Sequence, residues 1–73
     1  MIELLNVTSS PNSNPTVWFK VADARYGIVV KRGDEVERVD RNGKPCRKLS
    51  VPWEQLIPLA RRVVKEDSYR KIK

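Results

Sequence analysis

The chain has 73 residues, with 15 Lys or Arg against 9 Asp or Glu and a formal net charge of +6. A chain of this length forms one small domain with a single core. One cysteine and no histidine exclude an intrachain disulfide, a structural zinc site and the Ser/His/Asp and Cys/His catalytic sets. The excess of cations favours nucleic acid or an acidic protein surface as a partner, although the same charge also serves solubility alone.

The remaining sequence signals point away from membranes and catalysis. No basic region precedes an apolar run at the N-terminus, and no stretch approaches the ~18 apolar residues of a membrane span. Neither a GxGxxG motif nor a Walker loop is present. We therefore expect a cytoplasmic, non-enzymatic protein that uses no cofactor or metal, acts on no small-molecule substrate and binds no membrane.

Two strands are predicted in the first part of the chain, at residues 2–7 and 16–21. The polar run between them, TSSPNSNP, is typical of a loop and is either a flexible connector or a recognition loop. The second strand alternates, and its core positions are Val17, Phe19 and Val21. Trp18 falls on the opposite face, where the C-terminal segment covers it or where it forms an exposed aromatic platform.

Three further strands are predicted between residues 26 and 51. Residues 26–32 form the best of them, with Tyr26, Ile28 and Val30 on one face. Gly27 marks a bulge or a close approach of another backbone. A turn at Gly33 leads to an exposed edge strand at 35–41. Asn42-Gly43 then predicts a type I′ hairpin turn into a last strand, KPCRKLSV.

The C-terminal segment predicts an amphipathic helix, with Ser50 as its candidate N-cap. Pro58 interrupts the apolar stripe, so we expect a kink, or a short turn at 52–57 followed by a helix from Pro58. The predicted fold is α+β: a small, strongly twisted antiparallel sheet of four or five strands with a short, Pro-kinked C-terminal helix. Residues 1–66 are expected to form the single domain and 67–73 a flexible basic tail.

Binding residues are expected in the polar loop, on the strands around Trp18 and on the basic C-terminal segments. The expected partner-binding residues are Asn6, Thr8, Ser10, Asn12, Trp18, Arg25, Tyr26, Lys31 and Arg32. The expected nucleic-acid contacts are Arg47, Lys48, Arg61, Arg62 and Lys65. Trp18 and Tyr26 among basic strands are typical of a single-strand platform, although four acidic residues at 34, 35, 37 and 40 would repel phosphate. Exposed strand edges also allow strand addition or self-association.

The segment KPCRKLSVPWEQLIPLARRVV resembles the end of the single-strand-binding transcriptional coactivator family of positive cofactor four. In that family a Lys/Arg-rich strand runs into a Ser, a Trp and an amphipathic helix behind a curved antiparallel sheet. The matching positions are Lys44, Arg47, Lys48, Ser50, Trp53 and Leu56. This resemblance implies an alternative function, the binding of single-stranded nucleic acid.

In length, basic balance and layout, the whole chain is similar to a type of small Xanthomonas-phage protein that binds host RNA polymerase. Proteins of that type inhibit initiation by displacing sigma and promote antitermination. The resemblance implies a partner, the β′ subunit of bacterial RNA polymerase near its N-terminus, with β and omega nearby and NusA assisting. Nucleic acid would then be met within the complex. The resemblance carries no contact residues over to this chain.

Overall fold

The computed structural model describes residues 2–8, 14–33 and 35–72, with side-chain surroundings described as far as residue 66. Four strands form one antiparallel sheet in the order β1-β2-β3-β4, and a single helix follows them. The elements are β1 (Ile2–Thr8), β2 (Thr16–Val21), β3 (Ala24–Val30), β4 (Val36–Asp40) and α1 (Trp53–Ile72). The predicted α+β fold is confirmed, with four strands in the sheet.

The core lies on one face of the two central strands. In β2, Val17 and Phe19 alternate inward, and the register pairs them with Ile28 and Tyr26 of β3. All four side chains are buried, because residues paired across an antiparallel ladder share a face of the sheet. The predicted core faces of these two strands are therefore confirmed.

The helix covers this same face. Leu56 and Ala60, one turn apart on α1, are fully buried and pack in one cluster with the strand residues. Trp53, at the start of the helix, is 7% exposed and stacks edge-on against Tyr26, with ring centroids 5.7 Å apart. Burial of each such apolar side chain contributes about 1.5–3 kcal/mol, so this interface holds the helix on the sheet.

The helix runs through Pro58 without a break, so the expected turn at 52–57 followed by a helix from Pro58 is wrong. Proline removes the hydrogen bond that residue 58 would donate to the carbonyl of Glu54. Both residues are exposed, so water can reach that carbonyl. The predicted flexible tail begins inside the helix, whose backbone continues to Ile72; its flexibility stays a prediction.

Ser50 is not the N-cap of the helix. The helix begins at Trp53, and the carbonyl of Pro52 accepts the first hydrogen bonds, from the backbone N–H groups of Gln55 (2.9 Å) and Leu56 (3.1 Å). Ser50 lies in a turn between Lys48 and Val51. Sequence position alone therefore placed the cap two residues too early.

The turn at Asn42-Gly43 is a hairpin of a different type from the one predicted. Gly43 has φ +79°, but Asn42 is not among the described residues with positive φ, so the type I′ prediction is wrong. The N–H of Gly43 donates to the carbonyl of Asp40 (2.9 Å), and the N–H of Asp40 donates to the carbonyl of Lys44 (2.9 Å). This is a type I turn followed by a glycine bulge. The Asp40 carboxylate selects it by accepting from the N–H groups of Asn42 and Lys44, at 2.8 and 3.1 Å.

In place of the predicted fifth strand, the described residues form only a short contact with β4. Val39 and Pro45 form an isolated bridge, and the N–H of Cys46 donates to the carbonyl of Arg38 at 2.9 Å. Pro45 has no N–H to extend the ladder. The chain then leaves the sheet and enters the turn before the helix.

The remaining turns lie close to their predicted places. The β2–β3 turn consists of Ala22 and Asp23, so β3 begins at Ala24, two residues before the strand predicted at 26–32. Ala22 has φ +56°, the only positive value among the described residues other than glycine. The turn predicted at Gly33 is present, with φ +73° at the glycine and a hydrogen bond from the Lys31 N–H to the Glu35 carbonyl.

Candidate binding surfaces

The open face of the sheet is the face opposite α1. The strand register places on it the outward positions of β2 and the residues that pair with them, strand by strand, on β1, β3 and β4. Its members are Glu3, Asn6, Thr8, Thr16, Trp18, Lys20, Arg25, Gly27, Val29, Glu37 and Val39. Because the helix packs on the other side, no helix in the described part of the chain covers this face.

Trp18 lies at the centre of the open face and is fixed at both ends of its ring. Its Nε1–H donates to Oγ1 of Thr8 on β1, at 2.8 Å. At the opposite end, Cε3 and Cζ3 lie over Gly27 of β3, 2.9 Å from the place a β-carbon would take, and Cγ2 of Val39 lies equally near that place. The indole therefore extends across the strands from β1 towards β4. Trp18 is partly buried, although α1 packs on the other face of the sheet.

Gly27 provides the space for this arrangement. It stands directly opposite Trp18 in the register and is itself buried beneath the ring. The prediction of a bulge or of another backbone close to Gly27 is wrong, because the register is regular there and the approaching groups are the side chains of Trp18 and Val39. Val39 is only 3% exposed although it lies outside the main core, and its Cγ2 approaches Gly27 as closely as the indole does.

The exposed cations of the open face are Lys20 and Arg25. The register pairs them directly, two residues along each strand from the Trp18–Gly27 pair and thus about 7 Å away. Glu3 is the neighbour of Lys20 on β1. Towards the other end, Lys31 forms an ion pair with Glu37 at 3.4 Å, with both side chains about 40% exposed. Such a pair contributes little to stability, but it neutralises that end of the face.

Tyr26 lies in the core and not on the open face. It is 8% exposed, and its ring is at 80° to that of Trp53. Of the two aromatic residues expected to form a stacking platform, the open face therefore holds Trp18 alone. The strand alternation already pointed to this difference, since Tyr26 shares a face with Ile28.

The other expected partner-binding residues lie in several places. Asn6 and Thr8 belong to β1 and reach the open face, rather than belonging to the polar loop. Ser10 and Asn12 lie outside the described residues. Arg32 is exposed in the turn after β3.

The expected nucleic-acid contacts fall into two groups that the structure does not bring together on the open face. Arg47 and Lys48 are exposed on the segment between β4 and α1. The others, Arg61, Arg62 and Lys65, are exposed on the helix, behind the opposite face of the sheet. Arg62 also meets Glu66 one turn later, at 3.5 Å.

Sequence reasoning missed a second surface, the Leu49 turn, which comprises residues 47–51. Leu49 is 98% exposed. The Lys48 carbonyl holds the turn by accepting hydrogen bonds from the Val51 N–H at 3.3 Å and from Nε1–H of Trp53 at 2.9 Å. The expectation of a fifth strand hid this feature, because a strand would have placed Leu49 in a ladder.

A groove of about 370 Å³ lies beside the Leu49 turn. Its lining residues are Arg38, Leu49, Val51, Pro52, Trp53, Glu54 and Gln55. The guanidinium of Arg38 lies 5.9 Å from the centre of the Trp53 ring, within the range of a cation–π contact. The groove therefore combines apolar residues with the opposite charges of Arg38 and Glu54.

A larger cleft, of about 640 Å³, lies where the β2–β3 turn meets the turn after β4. Cations and carboxylates both line it, among them Arg25, Arg41 and Asp23. Asp40 also lines the cleft, and its carboxylate is already engaged by two backbone N–H groups. This mixture gives no single-sign site for an anion or a metal.

The described residues contain neither a candidate metal site nor a candidate membrane-spanning helix. They contain no group of three or more His, Cys, Asp or Glu that could hold a metal ion. No helix in the same part of the chain is long and apolar enough to cross a membrane. Comparison of the chain with family models, with curated proteins and with solved structures finds no match.

Proposed function

We propose that the chain is a phage-type transcription regulator that binds bacterial RNA polymerase in the cytoplasm of the host cell. It inhibits initiation by displacing sigma and promotes antitermination. The whole-chain resemblance supplies the identity of the partner, near the N-terminus of the β′ subunit with β, omega and NusA close by. What the geometry adds is a surface suited to a protein partner.

The observation that carries a protein-binding role is the exposure of Leu49. Single exposed leucines are common on soluble proteins, and Leu4 and Leu59 are ordinary examples at 50% and 43%. Leu49 differs because 98% of its surface is exposed on a turn that two hydrogen bonds hold in place. A turn whose backbone is already held in place needs little further ordering on binding, so burial of its apolar side chain contributes efficiently to affinity.

The charges around Leu49 indicate the kind of pocket that would receive it. Arg47 and Lys48 are exposed immediately before it, and Arg38 lies beside the adjoining groove. An apolar pocket with an acidic rim would complement this arrangement, and rim charges of opposite sign accelerate association. We therefore place the polymerase contact at the Leu49 turn.

Retention of purified RNA polymerase by the immobilised chain tests this proposal. Leu49→Ser should weaken retention at least about tenfold, since burial of a leucine contributes roughly 1.5–3 kcal/mol. Its melting temperature should stay near that of the wild type, because Leu49 buries almost nothing in the fold. Leu59→Ser is the matched control on the helix and should bind as the wild type does.

The proposal would be wrong if the immobilised wild-type chain failed to retain purified RNA polymerase. If the wild-type chain is retained, transcription assays then separate the two activities. Added protein should reduce initiation from a sigma-dependent promoter and, with NusA present, increase read-through at a terminator. Retention without either effect would leave a polymerase-binding protein that does not regulate.

A further inference from the structure

We propose that the open face is a binding site for single-stranded nucleic acid, in which a base stacks on the outer face of Trp18 and the backbone phosphates contact Lys20 and Arg25. The site lies on β2 and β3, apart from the Leu49 turn that we assign to polymerase. It is a further activity and does not depend on the proposed function.

The first step of the argument is the orientation of the indole. The ring reaches from Thr8 on β1 to a position above Gly27 on β3, so it spans two neighbouring strands. The indole is only partly buried, so part of its surface is open to a ligand. Stacking of a base on an aromatic ring is tolerant of sequence because every base has a π-face.

The second step is pre-organisation. The Nε1 hydrogen bond at one end and the contacts with Gly27 and Val39 at the other fix the ring before any ligand arrives. A ring fixed in its binding orientation avoids the loss of side-chain freedom that otherwise opposes binding. A glycine directly opposite Trp18 is what allows this, because a β-carbon there would lie 2.9 Å from the ring.

The third step is the placement of charge. Lys20 and Arg25 are both exposed and share one row of the register, next to the row of Trp18. A strand that lays one base on the indole therefore meets two cations about 7 Å further along, in a row whose carboxylate is Glu3, the partner of Lys20 on β1. At the opposite end, Glu37 is neutralised by Lys31, so the acidic residue nearest that end does not act as an isolated negative charge.

The fourth step favours a nucleic acid over a protein as the ligand of this face. The exposed large apolar residues of the described chain are Leu4, Leu49 and Leu59. None of the three is on the open face, since Leu4 pairs with Phe19 and shares its face. Besides the indole and two valines that are partly or fully buried, the face offers polar and charged side chains. Asn6 stands directly opposite Trp18 and can hydrogen-bond a base edge. One partly exposed aromatic among polar and charged groups suits a base and its phosphates.

Titration of a labelled oligothymidylate with the full-length chain at low salt tests the proposal. With two phosphates contacted, the logarithmic salt slope should be about −1.4, so affinity falls about sevenfold from 50 to 200 mM salt. Trp18→Leu should weaken binding roughly 5- to 150-fold. The double variant Lys20→Gln/Arg25→Gln should bring the salt slope near zero, while Lys65→Gln, on the helix, should change neither value.

Two controls keep the result interpretable. The double variant alters only exposed side chains, so it stays folded even if Trp18→Leu does not, and its melting temperature verifies this. An abasic strand of equal length carries the phosphates without the bases and should bind the wild type no better than oligothymidylate binds Trp18→Leu. A Trp18→Leu protein that binds oligothymidylate as the wild type does would overturn the proposal.

Other outcomes also overturn it. One is the absence of oligonucleotide binding at 50 mM salt, and another is an abasic strand that binds as tightly as oligothymidylate. Retention of polymerase that falls with Trp18→Leu, without oligonucleotide binding by the wild type, would assign the open face to a protein. The polymerase proposal is tested at Leu49, so the two proposals can fail separately.

Discussion

Gly27 and Trp18 show how one residue can set the geometry of a surface. Trp18 and Val39 can both approach position 27 because it has no β-carbon. Gly27 and Val39 are buried and Trp18 is partly buried, so the packing of three strand positions depends on one missing side chain. Sequence reasoning predicted a bulge or the approach of another backbone at Gly27, and it could not identify the two side chains, since their positions depend on the strand register.

Replacement of Gly27 by alanine should displace the indole and lower stability by about 1–3 kcal/mol, because the added carbon would lie within 2.9 Å of three side-chain atoms. The emission of Trp18 should shift to the red as the ring moves into water. Gly33→Ala is the matched control. It meets nothing within 4 Å but has φ +73°, so it should lose about 1–2 kcal/mol without a change in emission. Equal emission shifts in both variants would contradict this explanation.

Ala22 is a position where the wild-type residue is itself unfavourable. Its φ of +56° is a region that residues with a β-carbon enter at a cost of about 1–2 kcal/mol. Ala22→Gly should therefore raise the free energy of unfolding by about 0.5–1 kcal/mol, after the greater freedom of glycine in the unfolded chain is subtracted. Urea unfolding with an unchanged m-value would measure the gain. Asp23→Gly, beside it and without a positive φ, should give a loss instead.

At the scale of elements, the alternation of apolar residues and the positions of turn residues predicted the strands of the sheet. They did not predict the type of the last hairpin turn or the place where the chain leaves the sheet. The core positions of β2 and β3 followed directly from a period of two. The hairpin at Asn42-Gly43 was predicted, but its type depended on the Asp40 carboxylate, which accepts from two N–H groups of the turn. The expected fifth strand failed because Pro45 lacks a donor and the chain is drawn into the turn that Trp53 holds at Lys48.

Pro58 offers a direct test of helix energetics. The helix passes through it, and the residue is exposed. Pro58→Ala should raise the free energy of unfolding by up to about 3 kcal/mol, because it restores a hydrogen bond to the Glu54 carbonyl and removes a ring that crowds it. The midpoint of urea unfolding measures the gain, with Gln55→Ala as a control that should change it by less than about 0.5 kcal/mol. A loss of stability would mean that Pro58 shapes the helix for its packing on the sheet.

At the scale of the whole molecule, the residues that stabilise the fold are separate from the charged residues that are exposed to a partner. The helix and one sheet face form the core, and the described residues include no buried polar or charged side chain. The exposed cations lie on the open face, in the turns after β3 and β4, in the Leu49 turn and on the helix. The composition predicted an acidic partner, but it could not show where the cations lie on the surface, because that depends on which face of the sheet the helix covers.

The two outer strands of the sheet also differ, and this limits how copies of the chain could join. Residues 38–40 of β4 are already engaged by residues 44–46, whereas β1 pairs only with β2 among the described residues. A molecule with one accessible strand edge can pair with a second copy but offers no further edge for a third. Association through strands would therefore stop at a closed dimer and would not extend into a fibre.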